Sequence, residues 1–279
     1  MALIVNTNYA SLNAQTNLSN ATANLQQSMQ RLSSGLRINS AKDDAAGLAV
    51  AVGLESQIRG NDVAVRNAND GVSVGQTAEG ALGQISKSLQ RIREISVQAS
   101  NASITDTQRG NLQKEVNQLT QEISRTVQTT QFNGTSLLNS SATVSFQAGS
   151  SGAADQQISY QGVELTGIAG YTGDLAATGT IDVSTSGAAS AAISSLDEAL
   201  TTVTQQRATF GGIQNRFQAV VSNLQNYSDN LSAARSRIMD TDFASETANL
   251  TRNQILQQAG TAILAQANTL PQAALTLLR

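Results

Sequence analysis

Few side chains in this sequence could do chemistry. The densest group lies at 31–51, RLSSGLRINSAKDDAAGLAVA, which holds adjacent serines, a glycine, basic residues and Lys42-Asp43-Asp44. A phosphate-binding loop would need G-x-x-x-x-G-K-[ST], and that pattern is absent. Asp43 and Asp44 are neighbours, so on a helix they point to different sides. Carboxylates that cooperate come more naturally from positions three or four apart. A second set of acids, Asp155, Glu164, Asp174 and Asp182, is scattered through the middle of the chain. There is no His and no Cys. That removes the commonest general base, the commonest transition-metal ligand, thiolate metal sites and disulfides. These features point away from an enzyme, and no catalytic, cofactor-binding or metal-ligating residue is assigned.

The same stretch reads better as a joint between two helices. Gly35 is a poor residue for a helix interior. Ser40 precedes Asp43 by three positions, a variant of the capping box, and Asp43 and Asp44 suit a helix N-terminus. Gly35, Ser40, Asp43 and Asp44 are therefore the joint residues, with one helix ending near Gly35 and the next starting after Ser40.

The composition limits what such helices can build. The chain has 279 residues, one Pro, no Trp and 3% aromatics, and Ala supplies much of its 40% apolar content. Burying Ala removes little apolar surface from water. One thick core would be hard to fill, whereas thin helix-on-helix seams would be easy. Net charge is −3 with a pI near 5.0. No basic stripe stands out, so nucleic acid is not an expected partner. No run of eighteen apolar residues exists, so no membrane insertion is expected. The opening residues MALIVNTNYASLNAQ lack a positive n-region, which argues against a cleaved secretory signal.

Charge is absent from both ends. Residues 1–30 and 253–278 contain no Asp, Glu, Lys or Arg. Apolar residues recur there at helical spacing: Leu18, Leu25, Met29, Leu32 and Leu36 near the start, and Leu256, Ile263, Leu270 and Leu277 near the end. Steps of three, four and seven mark a narrow stripe on a helix that wants a partner helix. The interior continues the pattern through Leu82, Ile85, Leu89 and Ile92, then Leu112, Val116, Leu119 and Ile123, then Leu196, Leu200, Val203, Phe217, Val220 and Leu224. The reading is a mainly α chain, a long antiparallel coiled-coil rod. Between 139 and 189 the helical spacing stops. Short alternating pieces at 143–147, 157–161 and 180–184 sit between Gly-Ser and Gly-Asp clusters and read as brief strands and turns.

Five segments resemble bacterial flagellins. They are RLSSGLRINSAKDDAAGLAVA, VNTNYASLNAQTNL at the start, NANDGVSVGQTAEGAL at 67–82, QFNGTSLL at 131–138, and ANTLPQAALTLLR at the end. They occur in family order and cover nearly everything outside 139–189. A hook–filament junction protein has related ends but tends to carry Pro after the paired aspartates, where this chain has Ala45.

The resemblance implies a structural subunit that polymerises with itself into the flagellar filament. It implies an inner-tube domain from 1–40 and 240–279 and a rod domain from 41–239, with 139–189 a short variable segment. It implies that large outer domains are missing. Unfolded export through the flagellar type III apparatus follows, with an export chaperone, hook-associated junction and cap proteins as partners, and a secreted, extracellular location. The seam residues named above would be assembly seams. Arg91, Ile95 and Glu115 match the positions read by the flagellin-sensing Toll-like receptor. Leu275, Leu277 and Leu278 match the end recognised by cytosolic innate sensors. The resemblance also revises two local readings. Asn69-Asp70-Gly71 would be a turn by itself, and Pro271 would end the last helix, but flagellin helices continue through both.

Overall fold

The structure is a computed structural model that describes residues 7–163, 165 and 181–277, with the side chains of 270–277 left out. Its five α-helices are α1 (Tyr9–Ser34), α2 (Ala45–Ala99), α3 (Asp106–Thr129), α4 (Ser186–Met239) and α5 (Phe243–Leu277). Among the described residues four short strands lie between α3 and α4: β1 (Gln131–Phe132), β2 (Thr135–Ser136), β3 (Thr143–Gln147) and β4 (Gln157–Gln161). The chain divides into two units, one made of Met1–Ser56 with Asn230–Arg279, the other of Gln57–Asp229.

The middle unit is built on the interior seams. Leu82, Ile85, Leu89 and Ile92 of α2 are all 1% exposed or less, and they pack with Val116 and Ile123 of α3. On α4 the buried residues run Ala189, Leu196, Val203, Phe210, Phe217 and Leu224, each seven apart. This strict heptad keeps one stripe facing its partners along the helix. Phe210 and Phe217 are the largest fully buried side chains among the described residues. They receive the β3–β4 hairpin: Phe146 meets Phe217 edge-on at 5.5 Å, and Tyr160 meets Phe210 at 5.7 Å. Burial raises the pKa of the Tyr160 phenol.

Helix α2 runs straight through Asn69-Asp70-Gly71. The reason Gly is needed there is close approach. A Cβ on Gly71 would lie 2.5 Å from the Phe217 ring, so the missing methyl is what admits the ring. Likewise α5 continues past Pro271 to Leu277.

The turn from α2 to α3 is held by an arginine. Arg109 is 6% exposed and donates Nε to the Ala99 carbonyl at 2.9 Å and Nη2 to Asn101 O at 3.3 Å. A cation there also suits the negative end of α2. Helix α3 opens with a full capping box between Thr105 and Gln108.

Strands β3 and β4 occupy the first two alternating pieces and pair antiparallel, Ser145 opposite Ser159. The third piece differs from its expected strand. Thr180 lies outside the described residues, and among the described residues Ile181–Ser184 pairs with no strand. Its backbone is satisfied by a side chain: Gln113 donates Nε2 to Ile181 O at 2.8 Å and accepts from Val183 N at 2.6 Å. One amide thus bonds the backbone on both sides of Asp182, and Ile181 and Val183 enter the core. Alternation predicts which residues are buried but not what pairs with their backbone.

Candidate assembly surface

Helices α1 and α5 pack on each other antiparallel. At one end Asn8 donates Nδ2 to Ala267 O at 2.9 Å; at the other, Arg31 faces Glu246 at 3.8 Å. The α1 side of the seam is Ser11, Ala14, Leu18, Ala21, Leu25, Ser28 and Leu32 in steps of three and four. The α5 side is Glu246, Leu250, Asn253, Gln257, Gly260, Leu264 and Ala267, in the same steps. Small side chains alternate with leucines on the α1 side, and the helices come close at Gly260: a Cβ added there would sit 3.3 Å from the Leu18 side chain.

This seam is not the one the leucine spacing marks at the C-terminal end. Leu18, Leu25, Leu32 and Leu36 are half-buried, but Met29 is 57% exposed, Leu256 51% and Ile263 59%. The side chains of Leu270 and Leu277 lie outside the described set. Leu12 and Ile255 are also more than half exposed. The pair therefore has an inner seam of small residues and leucines and a second, outward set of large apolar ones. Heptad spacing reveals a stripe but does not say which partner it meets. What spacing missed are the small positions, Ser11, Ala14, Ala21, Ser28 and Gly260. The available signal was their own recurrence at three and four.

The joint follows α1. Gly35 takes φ 71° and closes α1, its N–H donating to Arg31 O at 2.9 Å. That left-handed conformation is strained for any residue with a Cβ. The chain then pairs with the end of α4: Arg37 N donates to Met239 O at 2.6 Å and Thr241 N to Gly35 O at 3.0 Å. Asp43 Oδ2 accepts from Asn39 N, Ser40 N and Ser40 Oγ at 3.0–3.1 Å. These bonds, the Asn39 N–H first, hold its pKa below the usual carboxylate value. Asp44 caps α2, accepting from Gly47 N at 2.8 Å. Helix α2 thus starts at Ala45 rather than directly after Ser40, and Ser40 with Asp43 shapes the turn before it. The two adjacent acids have separate backbone partners and no shared site.

The remaining sequence-named positions fall elsewhere. In the middle unit, Arg91 donates Nε to Glu115 Oε1 at 3.0 Å and Nη1 to Glu94 at 3.0 Å, on the surface. Those carboxylates raise its pKa, Glu115 most. Ile95 is 1% exposed and packs in the core, so it cannot share that surface; its place on the buried stripe with Ile92 and Ser96 decides this. Leu275 and Leu277 belong to α5 without described side chains, and Leu278 lies outside the described residues. Among the described residues no cluster of three or more His, Cys, Asp or Glu could hold a metal, and no helix is long and apolar enough to cross a membrane.

Two helices with few charges (Arg31 on α1, Glu246 and Arg252 on α5), packed along one seam and with large apolar side chains turned outward, make a surface suited to further helices. The family comparisons agree with that arrangement. The model of the bacterial flagellin N-terminal helical region matches residues 5–143, and that of the C-terminal helical region matches 193–278. The chain belongs to the bacterial flagellin family. A flagellin of Halalkalibacterium halodurans is 44% identical over 278 residues, covering 99% of this chain and all of that one. Polar flagellin F of Vibrio parahaemolyticus is 38% identical over an alignment of 376 positions that covers both chains completely. A solved Vibrio parahaemolyticus chain, provisionally described as a flagellar hook-associated protein, is 15% identical with a TM-score of 0.61 over 71% of this chain and all of that one. That likeness is one of fold. This flagellin is a structural subunit of the bacterial flagellar filament, and not an enzyme. The family matches leave out 144–192, the stretch that holds all of the β3–β4 hairpin except Thr143.

Proposed function

We propose that the outward apolar residues of α1 and α5 are the surface through which subunits join. Leu12, Met29, Ile255, Leu256 and Ile263 are each more than half exposed on helices with almost no charge, and this observation carries the reading. Exposed apolar surface of this extent marks an interaction site. A neutral helix meets copies of itself without charge repulsion, and burial of the stripe offsets the cost of ordering the ends. Residues 1–40 and 240–279 then form the inner-tube domain and 41–239 the rod domain, with 139–189 a short variable segment in place of large outer domains.

The same chemistry supports the rest of the pathway. A chain without disulfides and with seams of small residues unfolds readily, which suits export through the flagellar type III apparatus to an extracellular filament. An export chaperone covering roughly 232–279 would shield the apolar stripe before assembly. Hook-associated junction and cap proteins would meet the same terminal helices at the two ends of the filament. Arg91 and Glu115 offer a charged patch for the flagellin-sensing Toll-like receptor, with Ile95 supporting the helix from beneath. Leu275, Leu277 and Leu278 are the positions for cytosolic sensors.

Electron microscopy after seeding with filament fragments tests the assembly reading. The full chain forms filaments, and a chain lacking 1–30 and 253–279 does not. Filaments from the shortened chain would place assembly elsewhere.

A further inference from the structure

We propose that Asn133 is a site of spontaneous deamidation, and that the folded hairpin protects it. Asn133-Gly134 is the one Asn-Gly pair in the sequence. In any polypeptide this pair is the most prone to succinimide formation, because Gly has no side chain to hinder its own nitrogen. The Gly134 backbone nitrogen loses its proton and attacks Asn133 Cγ. The new N–Cγ bond forms, the Cγ–Nδ2 bond breaks, and ammonia leaves. Water then opens the five-membered ring at either carbonyl, giving Asp or isoaspartate, with no oxidant or reductant involved.

The fold decides when this happens. Phe132 pairs with Thr135 across the two-residue turn, with Asn133 at φ 48° and Gly134 at φ 78°. Positive φ at both positions defines a type I′ turn, in which the first residue has ψ near about +30°. Ring closure needs the Gly134 nitrogen behind the side-chain amide carbon, which requires strongly negative ψ at Asn133. The turn is exposed, so water reaches it, but its backbone holds nucleophile and electrophile apart.

The two products differ in consequence. Asp tolerates the left-handed region, so the turn survives. Isoaspartate adds a methylene to the main chain of a turn that has only two residues. The segment immediately after is in the core: Leu137 is 1% exposed and Leu138 fully buried, and Leu137 N donates to Thr130 O at 3.1 Å. An extra backbone atom shifts both leucines against that pairing.

The experiment incubates the full chain at mildly alkaline pH, folded and in denaturant, and follows the peptide containing Asn133 by mass spectrometry. Amide-to-acid conversion changes its mass, whereas isomerisation at Asp70-Gly71 does not. The unfolded chain should lose the Asn133 amide at least about tenfold faster, since the folded rate is limited by hairpin opening. Equal rates in both states, or conversion at other asparagines ahead of Asn133, would overturn the proposal. Asn133→Asp should assemble onto seeds like the parent, while isoaspartate-containing chains, identified by methyltransferase labelling, should be depleted from filaments. Isoaspartate incorporated at its input fraction would overturn the stated consequence.

Discussion

At the residue scale, four positions do work that their types do not announce. Phe217 fills the notch over Gly71 and stacks edge-on with Phe146. Phe217→Ala should cost about 3–5 kcal/mol, because it removes apolar burial and leaves a cavity. Urea unfolding followed by circular dichroism checks this. Asp43 organises the joint by accepting from Asn39 and Ser40. Its pKa is lower in the folded chain than in the unfolded one. Its contribution is therefore complete above the ordinary carboxylate value and is lost as pH falls from there through the lowered folded value. Asp43→Asn should destabilise the protein at neutral pH and flatten that part of the acid limb in a stability–pH series. Arg31 and Glu246 face each other across the terminal seam, with side chains 26% and 10% exposed. Glu246→Gln alone leaves a largely buried cation unpaired, so it should destabilise more than Arg31→Gln and Glu246→Gln together. Thermal melts of both singles and the double decide it.

At the scale of elements, the terminal helices have two faces with different jobs. The inner seam of Ser11, Ala14, Ala21, Ser28 and Gly260 sets how closely α1 and α5 approach. The outward stripe contributes little to the single chain because its side chains are already in water. Leu256→Ser with Ile263→Ser should change the unfolding free energy of the unassembled protein by no more than about 0.5 kcal/mol per site. The same variant should raise the protein concentration needed for seeded polymerisation several-fold. Sedimentation of filaments against free subunit, beside a denaturant titration, reads both. A variant that unfolds more easily yet polymerises normally would assign those residues to the inner seam instead. Heptad spacing located the helices but not this division of faces, since two stripes of period three to four coexist on α5 and spacing ranks neither.

At the scale of the whole molecule, nearly all charged side chains lie between Arg31 and Arg252, with Arg279 the exception, and the stretches that would join subunits, 1–30 and 253–278, are neutral. Assembly through them should respond weakly to moderate salt, because little charge is there to screen. Sulfate or phosphate at high concentration should promote it, since these ions are excluded from protein surface and strengthen apolar burial. Light scattering during seeded growth across sodium chloride and ammonium sulfate series checks both. Strong inhibition by modest sodium chloride would point to the charged patch at Arg91 and Glu115 as the principal contact.

The sequence by itself determined the class of protein and where its helices run. Missing His and Cys remove the commonest general base and all thiolate chemistry, and neutral ends and sustained heptads mark helices that seek partners, because those properties depend on residue type and spacing alone. Five motifs in order identified the family for the same reason. The tertiary structure decided which stripe faces inward, why Gly71 lies mid-helix, and that Ile95 sits beneath Arg91 rather than beside it. It also gave Asp43 and Asp44 separate backbone partners and placed the Gln113 amide on the backbone of Ile181 and Val183. Each of these depends on a neighbour distant in sequence. Helical period and residue type constrain a face but leave its partner open, and only the folded chain chooses among partners.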